Sequence, residues 1–146
     1  SARHERRAPR GTRPARDGGS DRGSATLEIA ILGPALLALT FVLIQAGLWF
    51  YARSLALAAA QEGVTAARAY TAGPTAGTTR AQVFLAEQAG DSLLGSSVST
   101  AGTTATTIQV TVTGRALSVL PGIPGFAVSQ SAHAERERFT VPGAVP

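Results

Sequence analysis

The chain has 146 residues, a formal net charge of +4 and no cysteine, which leaves room for one small domain plus a membrane segment. Without cysteine there are neither disulfides nor thiolate metal sites. All thirteen basic residues are arginine, and seven of them (Arg3, Arg6, Arg7, Arg10, Arg13, Arg16, Arg22) precede a long apolar run against only Glu5, Asp17 and Asp21, so the net charge lies wholly in residues 1–23. A basic flank to an apolar run is the positive-inside signal and argues against nucleic acid as the partner.

Residues 1–22 mix Arg, Pro, Gly, Ser and Asp with no apolar period, a composition expected to be disordered. The chain opens on Ser1 rather than Met, which leaves its true start open. Arg6-Arg7 resembles half of a twin-arginine signal, but the apolar run lies too far on and is too long for a secretory core. From Ile29 to Tyr51 there is no charged residue. About twenty such residues, at about 1.5 Å each, cross a hydrocarbon layer of about 30 Å, so the run is expected to be a transmembrane helix. Ala56-Leu57-Ala58 has the form of a cleavage site, yet Arg53 and the unbroken helix-forming sequence around it argue for a retained span. Pro34 removes a helical hydrogen bond. It reads either as a tolerated kink or as a weak point where the first turns bend or melt.

The alanine-rich pattern continues past Tyr51, with Leu55, Ala59, Glu62 and Ala66 at helical spacing. One helix is therefore expected from about Ala25 to about Ala69, roughly 65 Å long, with Gly63 as a weak point. Its first half would lie in lipid, its second half outside, and its small residues permit close helix–helix approach. Residues 71–78 read as a linker broken by Gly73-Pro74 and Gly77. A second helix is expected to start with Thr79 as its cap. Ala81, Phe84, Leu85, Gln88, Ala89 and Ser92 mark its inner face, and it ends between Gly90 and Gly95. Ile108, Val110 and Val112 alternate with polar residues, a half-buried strand. Val98 belongs to a strand before it, and Phe126, Val128, Gln130, Ala132 and Ala134 to a last strand running toward Phe139. Pro121-Gly122-Ile123-Pro124-Gly125 is a loop by its own chemistry. The expected fold is α+β: a long N-terminal transmembrane helix extends into a small extracytoplasmic domain of one helix and a short antiparallel sheet. The divisions fall at residues 1–23 (basic leader), 24–70 (helix) and 71–146 (extracytoplasmic domain).

Gly23 lies just outside the expected helix and Glu28 just inside it, with Arg22 before both. An intramembrane aspartyl peptidase at the cytoplasmic face can cut after glycine, where no side chain blocks approach. Ser24 would then be a new amino terminus, whose positive charge, or that of a neighbouring subunit, pairs with Glu28 and offsets the cost of an acid in lipid. The plainer reading of Glu28 is an interfacial acid favoured by the helix macrodipole. Ser131, His133 and Glu135 alternate along one strand face about 7 Å apart in steps and do not converge as a triad must. His4 stands in the leader, away from His133, and no glycine-rich loop has a phosphate- or dinucleotide-binding form. No enzyme activity, cofactor, metal or small-molecule substrate is expected.

At these residues the sequence resembles the TadE-like family, minor pseudopilins of the tight-adherence (Flp-type) pilus system. The resemblance runs through Arg22-Gly23-Ser24-Ala25, Glu28-Ile29-Ala30 and Pro34, then Ala52-Arg53, Ala58-Ala59-Ala60-Gln61-Glu62-Gly63-Val64 and Ala67-Arg68. More loosely, it takes in Leu120-Pro121-Gly122-Ile123-Pro124 and Glu135-Arg136-Glu137-Arg138-Phe139, as in actinobacterial members. The chain departs from the pattern at Ile29, where an aromatic residue often follows the glutamate. The resemblance implies a single-pass membrane protein with a cytoplasmic N-terminus and an extracytoplasmic C-terminal domain. It implies cleavage by a prepilin peptidase between Gly23 and Ser24, and partners among other pilin or pseudopilin subunits and pilus assembly proteins. Glu28 and Pro34 would then set helix register and subunit docking. The alternative is a plain membrane anchor carrying an extracytoplasmic domain that binds a ligand or partner unrelated to pili.

Overall fold

A computed structural model of the protein describes residue 11 and residues 20–69 and 71–136. The α+β expectation is borne out: two helices and a three-stranded antiparallel sheet follow one another along the chain. Helix α1 spans Ser20–Ala67, 48 residues with Pro34 inside it. It starts earlier than the expected Ala25. Among the described residues, those up to Leu37 form one unit and those from Ala38 onward another. In the first, α1 is a bare helix whose Leu27, Ile29, Ile31, Leu32, Leu36 and Leu37 are all exposed.

In the second unit, helix α2 spans Pro74–Gln88. This corrects the expected linker over 71–78 and the expected cap at Thr79. Proline is a breaker inside a helix, but at the first helical position its missing N–H is not needed and its fixed φ suits the turn. Pro74 therefore opens α2, with Gly73 as an N-cap that makes no side-chain bond. Thr79 lies within the helix, its hydroxyl donating to the Thr75 carbonyl at 3.0 Å. Gly77, Ala81 and Leu85 form the buried face of α2. Ala89, just beyond it, is buried as expected, whereas Gln88 is exposed and Phe84 half-buried.

A short 3-10 turn at Gly90–Ser92 leads straight into strand β1 (Leu93–Ser99), followed by β2 (Thr107–Ala116) and β3 (Ala127–Glu135). The second helix thus gives way to strand earlier than expected, at the buried Leu93. β2 is central and pairs antiparallel with both neighbours, Val98 facing Val112 and Val110 facing Ala132. Its Ile108, Val110 and Val112 are fully buried, as their alternation dictates. The opposite face is polar, with the Thr111 and Ser131 hydroxyls 2.8 Å apart.

That core is closed by the second half of α1. Ala52, Leu55, Ala56, Ala59, Ala60, Val64 and Ala67 are buried in one cluster with Ile108, Val110, Val112, Leu85 and Leu93. Of the residues at helical spacing, Leu55 and Ala59 are buried and Glu62 and Ala66 only half-buried. Small side chains on this face let a second helix come close. A Cβ added at Gly63 would lie 2.8 Å from the Gly77 carbonyl oxygen, and one at Gly77 equally close to that of Gly63. Gly63 is thus a crossing point between α1 and α2. Nearby, the Glu62 and Arg80 side chains, each 44% exposed, form an ion pair at 3.1 Å across the two helices, a contact of only about 0.2–1 kcal/mol.

Candidate membrane and assembly interface

The sequence-predicted residues Gly23, Ser24, Glu28 and Pro34 all lie on α1 and are exposed. Gly23 is inside the helix rather than outside it, within the first turn. The first four N–H groups of a helix have no partner within it, so backbone there opens most readily. A Cβ at Gly23 would meet nothing within 4 Å, so the glycine is not required by packing. Glu28 stands one helical turn before Ile31 and Leu32, which are 66% and 48% exposed. The carboxylate therefore shares its face with apolar side chains. Among the described residues, Glu28 takes part in no ion pair. Pro34 offers no N–H to the carbonyl of Ala30, and α1 nonetheless continues through it.

The apolar run stays uncovered well past Pro34. Leu39, Phe41, Val42, Leu43 and Ile44 are exposed, and α1 is long and apolar enough to cross a membrane. The covering begins at Gln45, which is 3% exposed. Its Nε2 donates to the Leu117 carbonyl at 3.1 Å, and its Oε1 accepts from the Val119 N–H at 3.0 Å. One turn on, Trp49 Nε1 donates to the Ala127 carbonyl at 3.3 Å, and the Arg53 guanidinium lies 5.6 Å from the Trp49 ring centre.

Sequence reasoning treated residues 29–51 as uniform lipid-facing surface and missed this junction. The available signal was a lone amide, Gln45, one turn before the single Trp49 in an otherwise apolar stretch. Such an amide in a low-polarity setting needs partners. Ser131, His133 and Glu135 all lie exposed along β3, and Ser131 bonds to Thr111 rather than to either neighbour.

A helix long and apolar enough to cross a membrane, bare over its first part and built into an α+β core over its second, fits a membrane-anchored module. Residues 23–65 match the family model described as TadE-like protein. The matched stretch is α1 from Gly23 almost to its end, and it supports the resemblance seen in the sequence. No curated protein and no solved structure matches the chain. Family and helix together fit a membrane protein related to the Tad pilus.

Proposed function

We propose that the chain is a single-pass, pseudopilin-like subunit that helps assemble a tight-adherence (Flp-type) pilus or a related surface structure. Its arginine-rich leader stays in the cytoplasm by the positive-inside rule, and the domain from Gln45 onward lies outside. A prepilin peptidase cuts between Gly23 and Ser24, at the readily opened first turn of α1. Glu28 then pairs with an amino terminus, its own or that of a neighbouring subunit. The protein acts by packing its bare helix against other subunits and performs no catalysis.

One observation carries this reading: an acid, Glu28, heads a helical stretch whose large apolar side chains are exposed from Leu27 to Ile44. In water that surface is unfavourable, and in lipid the acid is unfavourable unless met by a positive charge. A membrane assembly satisfies both. The test is the amino-terminal residue of the protein recovered from membranes of cells that carry the pilus system. Ser24 is the expected residue; an intact arginine-rich leader contradicts processing.

A further inference from the structure

We infer that the loop from Leu117 to Phe126 is a membrane-inserting foot, whose apolar side chains enter the lipid interface beside the point where α1 leaves it. The inference rests on the spanning role proposed for α1. Leu117, Ile123 and Phe126 are 37%, 52% and 57% exposed, an unusual concentration of large apolar side chains for one loop facing water. The loop is held rather than loose. Gln45 grips Leu117 and Val119, and Ala116 N–H donates to the Phe126 carbonyl at 3.0 Å. Arg115 donates to the Gly125 carbonyl at 3.4 Å. A Cβ at Gly125 would collide with the Ala116 carbonyl oxygen, so only glycine lets the loop close this tightly.

Position decides what the loop meets. The unbroken run of exposed residues on α1 ends at Ile44, with Ala46, Phe50 and Tyr51 still exposed beyond it, and Gln45, the residue after Ile44, is the one that holds the loop. A bilayer that takes in Leu39–Ile44 therefore brings its interface to the level of Gln45 and Trp49, where the loop is fixed. The chemistry of the surroundings fits that level. Trp49 is followed by the exposed Phe50 and Tyr51, and aromatic rings of this kind settle at membrane–water boundaries. An apolar cavity of about 320 Å³ lies between Val42, Ala46, Trp49 and Phe50 of α1 and Leu120 and Phe126 of the loop. Arg53, over the Trp49 ring, and Arg115, against Gly125, put two cations beside the loop, and cations there attract lipid phosphates. Pro121 and Pro124 carry no N–H, which removes two donors that a poorly hydrated interface would leave without partners.

The absence of cysteine from the sequence makes the test direct. Single-cysteine variants Leu39→Cys, Ile123→Cys and Ala105→Cys of the full chain are labelled with an environment-sensitive fluorophore. They are reconstituted in phosphatidylcholine–phosphatidylglycerol vesicles, with or without lipids carrying a quencher on the upper acyl chain. Ala105 is exposed in the bend before β2, at the end of that strand away from the loop, and serves as the aqueous reference. The expected result is strong lipid quenching at position 39 and quenching at position 123 roughly threefold above that at 105, with a blue-shifted emission. Quenching at 39 with a water-like signal at 123 overturns the foot and leaves the span standing. Water-like signals at both positions remove the span itself. Shielding at 123 that lipids do not quench, and that grows with the protein-to-lipid ratio, assigns the loop to a second copy of the chain and also overturns the inference.

Discussion

The buried Gln45 bonds two part-buried backbone groups of the loop, the Leu117 carbonyl and the Val119 N–H. Leucine at this position would keep the apolar character of the run and lose both bonds. Leaving buried polar groups unmet costs about 1–3 kcal/mol each. Gln45→Leu should therefore lower the thermal midpoint of the domain and speed amide exchange at Val119; an unchanged exchange rate there would remove Gln45 from its role as a clasp. Glu28 behaves differently, being exposed and in no ion pair among the described residues. Its replacement by alanine should leave the folding of the domain untouched. The acid was legible in the sequence because it is the charge that opens an apolar run. The clasp was not, because Gln45 finds its partners more than seventy residues away and nothing in its immediate neighbours announces them.

The pattern of periods identified the elements well where an element has one apolar face and less well where backbone chemistry sets its ends. β2 was plain from Ile108, Val110 and Val112, which are fully buried as expected. The start of α2 was not, because Pro74 reads as a breaker until its position at the first helical residue is known. One consequence is measurable. An N-cap threonine replaced by alanine costs about 1 kcal/mol, but Thr79 is inside α2, so Thr79→Ala should change stability by less than about 0.5 kcal/mol. A full cap-sized loss in a denaturant titration would restore the later start. Gly63 was legible as a special position but mistaken in kind. It lets α1 and α2 touch backbone to backbone. Gly77→Ala adds a Cβ 2.8 Å from both the Gly63 oxygen and the Ala67 Cβ, and such overpacking costs about 1–3 kcal/mol. Stability equal to the parent chain would show that the crossing has slack.

At the level of the molecule, one helix serves two environments. Its first stretch presents apolar side chains outward and its last stretch presents Ala52–Ala67 inward to the sheet. The change of use falls at Gln45, and composition hides it, because alanine-rich helix suits lipid and protein alike. The domain accordingly depends on α1 for one wall of its core. A fragment from Arg80 onward lacks that wall and should show no cooperative unfolding, whereas one beginning at Gln45 should retain a sharp transition by circular dichroism. A cooperative transition in the shorter fragment would mean that the sheet and the remainder of α2 suffice. The general plan was readable from the sequence: bare span, helical continuation, sheet. How the continuation and the sheet share one core was not, since it depends on which side of α1 turns inward.

The central claim is that an acid at the head of a lipid-facing helix is there to be met by a positive charge on itself or on a partner subunit. The most direct measurement compares the full chain with Glu28→Ala and Glu28→Asp in membranes, scoring both integration against alkaline extraction and co-purification with the other pilus subunits. Integration should be unchanged in both variants, co-purification lost with alanine and at least partly kept with aspartate. Normal co-purification of Glu28→Ala would contradict the account.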